Sequence, residues 1–440
     1  MDGPTIAALM FPALFVLIFL GLPVAFSLMV VAFVAGWQFF GDITPRQMFG
    51  QLVGVGSTYS LVAVPLFIFM GAVLERSGIA ERLFQALQLW VGRLPGGLSV
   101  ATIGMATVFA ASTGIVGAVE AVIGLMAIPA MLAYRYDKGL ISGTICAGGS
   151  LGTMIPPSVV VIIYGAVAQI SIGGLFAGAL FPGLLMVALF VGYIILRCVL
   201  YPEDGPPVPR AELEVSLGHK LWVTTTSLLP ASLLVVAVLG SILLGIASPT
   251  EASGVGALGA LLLAAAYGRL GPAMLRGSLI KTLQINSMIL LIVVGGSMFA
   301  SVFRAHGGPS LVSDLIAALD LGTIGIIVLF LLITFLLGFV LDWVSVVLIC
   351  VPIFTPIIRS AGVDPLWFGI MMIVVIQTSY LTPPMAPAIF YLRSVAPPEI
   401  TYRHMFRGVL PFVGCQLLVL LAVALVPAIA TYLPAQIQRF

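Results

Sequence analysis

Charge is what this chain has least of. Only 8% of its 440 residues are Asp, Glu, Lys or Arg, while 61% are apolar; soluble domains carry roughly a quarter charged and about half apolar residues. Too little polar surface remains to coat a water-soluble globule, which excludes a soluble enzyme and a nucleic-acid binder. The net charge of +2 carries no polyanion signature. Cys146, Cys198, Cys350 and Cys415 lie in or beside apolar runs without metal or disulfide-framework spacing, and His219, His306 and His404 are scattered. Chemistry by a transition metal or an activated thiol therefore has no footing, and no cofactor is expected. There is no Gly-x-x-x-x-Gly-Lys-Ser/Thr loop for ATP. No Lys or Arg precedes the first apolar stretch, at 5–40, so it reads as mature membrane structure rather than a secretory signal. It is either two short crossings broken near Gly21-Leu22-Pro23 or one long helical hairpin. No large hydrophilic domain interrupts the chain, so any solute-capturing part is expected to be a separate protein.

What the chain does have is apolar length. A membrane helix needs about 20 apolar residues, and this sequence holds enough for roughly ten to twelve crossings. After residue 51 the apolar segments fall near 52–74, 97–134, 139–168, 172–197, 222–247, 251–268, 282–303, 318–358, 366–392 and 408–433. Segments 97–134 and 318–358 are about twice single-span length, so each is two crossings or one re-entrant hairpin. Either choice returns the chain to the side it left. With that topology, fourteen of the 18 basic residues fall on one face; Arg46, Arg304, Arg359 and Arg439 fall on the other. Cytoplasmic loops carry the excess of Lys and Arg, so the fourteen-residue face is the cytoplasm.

The parts recur in the same order. A span, a long hairpin, a span holding Pro156-Pro157 and a span from Gly173 are matched by a span at 282–303, the hairpin 318–358, a span holding Pro383-Pro384 and a span from Gly408. By the charge count the first hairpin enters from the cytoplasm and the second from outside. The expected fold is thus an all-α polytopic membrane protein of two inverted repeats, with the chain divided as 1–51, 52–200, 201–281 and 282–440. Inverted repeats with Gly/Pro-interrupted helices at corresponding positions are the mark of alternating-access secondary transporters, whose sites lie near the bilayer midplane.

Two consecutive prolines remove two backbone donors and forbid a regular helix. The runs Gly148–Ser158 and Gln377–Pro387 place such pairs in mid-span beside hydroxyls. Irregular backbone at membrane depth survives only where it is buried in protein or lines a wet cavity. The first hairpin bends around Ser112-Thr113-Gly114-Ile115-Val116-Gly117 and the second around Gly338-Phe339-Val340-Leu341-Asp342. Their hydroxyl and carbonyl oxygens suit a hard monovalent cation. Asp342 is an ionisable group in a long apolar run, which usually marks an ion or solute path; the bland alternative is an interfacial position or a structural pair with an Arg. Glu120 holds a similar place in the first hairpin, where burial against a hydroxyl would also account for it. Glu251 follows Ser248-Pro249-Thr250 and reads as helix capping.

Val64-Pro65-Leu66-Phe67-Ile68-Phe69-Met70-Gly71, Leu94-Pro95-Gly96-Gly97-Leu98 and Ile155-Pro156-Pro157-Ser158 together resemble the large membrane subunit of tripartite ATP-independent periplasmic (TRAP) transporters. Ser248-Pro249-Thr250-Glu251-Ala252, Gly362-Val363-Asp364-Pro365-Leu366-Trp367-Phe368-Gly369 and Thr382-Pro383-Pro384 extend the likeness over nearly the whole chain. The resemblance implies an elevator-type, sodium-coupled symporter of a small organic anion, multi-pass in the bacterial inner membrane. It also implies a small membrane subunit and a periplasmic binding protein as partners. Sodium ligands would fall on Ser112, Thr113, Gly114, Gly152 and Pro156 in one half, and on Gly338, Asp342, Thr378 and Pro383 in the other. Solute contacts would come from Ser150, Thr153, Ser158, Thr382 and Met385. Two departures stand out. Ile115-Val116 replace the Gly-Ser-Ser type tip, and Tyr380 and Ala386 stand where the family usually has glycine. A polytopic membrane enzyme would need converging acid, base or metal groups, which this inventory lacks. A passive channel fits closable mid-bilayer breaks less well.

Overall fold

The computed structural model describes residues 2–114, 118–209, 215–383 and 386–437. Helices dominate them, and no strand occurs among the described residues. In hydrocarbon every backbone N–H and C=O must find its partner within the protein, and a helix achieves this locally. The 5–40 stretch forms two 17-residue helices, Gly3–Phe19 and Val24–Phe40, packed on each other. Gly21, at φ +91°, turns the chain between them and Pro23 starts the second.

Other boundaries shift for identifiable reasons. The span expected at 282–303 is part of a 34-residue helix, Pro272–Ala305, about 51 Å long at 1.5 Å per residue. Hydropathy clips it because Arg276 and Lys281 lie in its first turns. The helix continues through them, and Lys281 pairs with Glu75 of Ala63–Arg76. Ile79–Val91 escapes a hydropathy scan altogether, since it is amphipathic rather than uniformly apolar. Ile79, Leu83, Phe84 and Ala86 face inward at helical spacing. Glu251 takes the capping role expected of it: its carboxylate accepts from the Ser248 amide at 2.7 Å while Ser248 Oγ accepts from the Glu251 amide.

The two double-length segments are helical hairpins. The first pairs Gly97–Thr113 with Ala118–Ala133, and the second pairs Thr323–Leu337 with Trp343–Ser360. Arms of 15 to 18 residues are about 22–27 Å long, short of the ~30 Å hydrocarbon core. Each double-proline span is broken where the prolines require it. Lys138–Ser150 gives way to a 3-10 turn at Leu151–Thr153, then to irregular backbone, before Val159–Ala168 resumes. Pro365–Leu381 ends ahead of Thr382, and Pro387–Arg393 resumes.

One helix, Tyr402–Leu425, shows that the two units are upside down relative to each other. Near its start Gly408 packs against Gly139 and Gly143, so closely that a Cβ on Gly143 or Gly408 would strike the backbone of the facing helix. At its middle, Gln416 Nε2 donates to Ser150 Oγ at 3.4 Å. Near its end, Trp367 Nε1 donates to the Val423 carbonyl at 2.8 Å. Lys138–Ser150 therefore runs inward from one end of this helix and Pro365–Leu381 runs inward from the other. Contacts at the mouths agree. Lys138 pairs with Glu399 at 3.1 Å, beyond the second broken helix, and Arg359 donates to the Ala168 carbonyl at 3.0 Å, at the end of the first. Apolar burial does little to hold helices together in lipid, so close packing of small residues such as Gly143 and Gly408 carries that task.

Candidate functional site

The first hairpin tip closes on the first break. Gly97–Thr113 ends at Gly114, whose φ of +60° suits glycine. The Gly114 carbonyl accepts from the Val159 amide at 3.2 Å, immediately after the break. No side chain fits at 114, because a Cβ would lie 2.6 Å from the Pro157 carbonyl oxygen. Ser112 Oγ donates to the Val108 carbonyl at 2.7 Å, while the buried Thr113 Oγ1 has no hydrogen-bond partner. Ile115, Val116 and Gly117 lie outside the described residues.

Within the break, three hydroxyls turn back onto its own backbone. Ser150 donates to Ala147 O at 2.8 Å, Thr153 to Ser150 O at 2.9 Å and Ser158 to Thr153 O at 2.8 Å. Gly152 and Pro156 lie in the same turn, and the Pro156–Pro157 peptide is cis. A hydroxyl whose proton is engaged by a carbonyl keeps its lone pairs, the valence a cation uses.

The second half repeats the logic with different atoms. Thr378 donates to Val374 O at 2.8 Å, Ser379 to Ile376 O at 2.8 Å and Thr382 to Thr378 O at 2.7 Å. Gly338 ends the inbound arm so close to Ser379 that a Cβ there would overlap its side chain. Asp342 is the N-cap of Trp343–Ser360; its carboxylate accepts from the amides of Val344 at 3.0 Å and Ser345 at 3.3 Å, and from Ser345 Oγ. A carboxyl group is well placed at a helix N-terminus, where unpaired amides converge, and these contacts satisfy it without an arginine. Ala386 has φ +39°, the left-handed region in which glycine rests without strain. Pro383 is in the turn; Pro384 and Met385 lie outside the described residues.

The breaks are joined to each other. Gln377 Nε2 donates to Ser150 Oγ at 3.1 Å, and both residues are fully buried. Together with Gln416 this forms an amide–hydroxyl cluster in which neither Gln377 Oε1 nor Gln416 Oε1 has a hydrogen-bond partner. Sequence reasoning weighed ionisable groups, hydroxyls, glycines, prolines and Met385, and passed over these amides. The available signal was an uncharged amide side chain in an apolar span, most plainly Gln416, which in lipid also demands a partner. Glu120, 0% exposed, packs its carboxyl group over Gly149, where no Cβ would fit.

Beside this cluster is a cavity of about 660 Å³. One wall is the long helix Pro272–Ala305, through Gln284, Ile285, Met288, Ile289 and Ile292. The other carries Gly338, Asp342 and Trp343 of the second tip, Ser379 and Tyr380 of the second break, and Tyr391 beyond it; Val159 reaches it from the first unit. Of the expected ion ligands, Gly338 and Asp342 line this cavity. Of the expected solute contacts, Ser150, Thr153, Ser158 and Thr382 do not line it; their hydroxyls bond to backbone within the breaks.

Comparisons with known proteins bear on the whole of this arrangement. A family described as the DctM component of the tripartite ATP-independent periplasmic transporter matches residues 11–429. The chain is 31% identical over 429 residues to the ectoine/5-hydroxyectoine TRAP transporter large permease of Ruegeria pomeroyi, covering 97% of this chain and 98% of that one. It is 30% identical over 401 residues to the C4-dicarboxylate TRAP transporter large permease of Pseudomonas aeruginosa, covering 90% and 91%. In fold it is similar to the Alcanivorax borkumensis YdaH transporter, with a TM-score of 0.63 at 18% identity over 90% of this chain and 89% of that one. The two TRAP large permeases are inner-membrane transport proteins rather than enzymes. The apolar helices, the paired hairpins and breaks and the match over residues 11–429 lead to one conclusion: the chain belongs to the DctM family of TRAP transporter large permeases, multi-pass proteins of the bacterial inner membrane.

Proposed function

We propose that this permease carries out sodium-coupled symport of a small organic anion bearing a carboxylate. The observation that supports this best is the meeting of both hairpin tips with both helix breaks, joined at Gln377 and Ser150. Freed carbonyls and engaged hydroxyls offer oxygen-only coordination, which suits sodium. Ser112, Thr113, Gly114, Gly152 and Pro156 form one candidate ion set; Gly338, Asp342, Thr378 and Pro383 form the other. The candidate solute contacts are groups on the wall of the 660 Å³ cavity, Ser379, Tyr380 and Tyr391 among them, while Ser150, Thr153, Ser158 and Thr382, first expected in that role, build the breaks and do not line it. In this reading 52–200 and 282–440 are the two inverted units, with 1–51 and 201–281 flanking and connecting them. The hairpins and broken helices move as one body past the long helices, in the manner of an elevator. A periplasmic binding protein delivers solute, and a small membrane subunit completes the complex.

The test is uptake into proteoliposomes holding the permease with its small subunit and supplied with the binding protein. An inward sodium gradient is expected to drive accumulation against the solute's own gradient. Solute that only equilibrates, with or without sodium, would instead identify a passive pore.

A further inference from the structure

We infer that the transported solute is a zwitterion, carrying a delocalised or alkylated positive centre as well as its carboxylate, and that Trp343, Tyr380 and Tyr391 receive the positive end beside Asp342. The inference rests on the reading of the 660 Å³ cavity as the solute site.

Its argument is electrostatic. The cavity lining includes one charged side chain, the Asp342 carboxylate, and no Lys, Arg or His among the described residues. The nearest basic groups along the chain are committed elsewhere. Lys281, one turn before Gln284, is paired with Glu75. Arg393, two residues after Tyr391, donates to the Ile400 carbonyl at 2.9 Å and sits over the Tyr402 ring. Most of the remaining wall is aliphatic, so charges inside interact more strongly than they would in water. A solute with only negative groups would meet a carboxylate and three aromatic rings there. Ring faces carry negative potential and attract cations, Trp most of all. Sodium bound at the second tip would neutralise Asp342 but would leave the rings as they are.

The carboxylate end follows from the proposed organic-anion solute; Val159 lines the same cavity from the first unit, but its amide is already engaged by the Gly114 carbonyl at 3.2 Å. The positive end is therefore the one the cavity wall itself selects. Tyr380 is the telling residue, since its ring occupies a position where the family resemblance leads one to expect glycine. It is 8% exposed while Tyr391 is 47% exposed, so one ring is buried in the wall and the other is half-buried beside it.

Equilibrium binding to the purified complex of large and small subunits, in sodium and without the binding protein, tests this. The probes are ectoine, a zwitterion with a delocalised cation, and succinate, a dianion. Ectoine is expected to bind at least tenfold more tightly than succinate. Tyr380→Gly is expected to weaken ectoine binding roughly tenfold, and Tyr380→Phe to retain it, as the range for a desolvated cation–ring contact implies. Tighter succinate binding, absence of ectoine binding, or ectoine affinity unchanged in Tyr380→Gly would overturn the inference. Met288→Trp separates this from the underlying reading by filling the cavity from the opposite wall. If either solute still binds that variant with native affinity, the cavity is not the solute site and both fall. If the variant blocks binding and succinate is the preferred ligand, only the zwitterion inference falls.

Discussion

Gln377 and Ser150, 227 positions apart in the chain, meet side chain to side chain at 3.1 Å where the two broken helices end against each other. Each is fully buried, and each belongs to a different one of the two antiparallel units. The contact makes the two breaks a single structural centre. Interhelical polar contacts of this kind contribute about 0.6 kcal/mol on average and up to about 1.7 in measured membrane cases. A double-mutant cycle of Gln377→Leu and Ser150→Ala, read from unfolding in detergent, is expected to give a coupling within that range. Strict additivity would mean that the two breaks are stabilised independently.

Ala386 offers a simpler test. Its φ of +39° places a Cβ in the left-handed region, at a cost of roughly 1–2 kcal/mol relative to glycine. Ala386→Gly is expected to raise stability by about 1 kcal/mol, seen as a higher midpoint of thermal unfolding. A lower midpoint would show that the strain is absent, or that the methyl group packs well enough to offset it.

Much of this architecture was readable from residues alone, for reasons specific to membranes. A chain with 8% charged residues and apolar runs of about 20 residues spans lipid as helices rather than as an alternating barrel, and Pro156-Pro157 and Pro383-Pro384 have to interrupt those helices. The tip at Gly338 and Asp342 was legible because a glycine and a carboxylate in a run as apolar as Thr323–Ser360 have few other places to be. What was not legible depended on which surfaces meet. Nothing local marks Gly114 as the acceptor for the Val159 amide, or Gln416 as a neighbour of Ser150. The cavity wall at Gln284 and Trp343 is built by residues distant in sequence. Ile79–Val91 was missed because its apolar residues occupy one face only.

Asp342 separates folding from ion binding. Asparagine caps a helix about as well as aspartate, so Asp342→Asn is expected to preserve the start of Trp343–Ser360 and the yield of folded protein. Loss of the charge is expected to raise the sodium concentration for half-maximal uptake about tenfold, the equivalent of one charge-assisted contact of roughly 1.5 kcal/mol. Unchanged sodium activation would leave Asp342 with a capping role alone.

The most direct test of the proposed motion uses Ile292 and Val346, which line the same cavity, one from the long helix Pro272–Ala305 and the other from the outbound arm of the second hairpin. Cysteines at these positions can be joined by a bifunctional thiol reagent with a reducible linker, across the boundary between the long helix and the unit proposed to move. If hairpins and breaks travel together past that helix, bridging will abolish sodium-driven uptake into proteoliposomes and a reductant will restore it. Uptake by the bridged protein at the rate of the reduced one would contradict that motion.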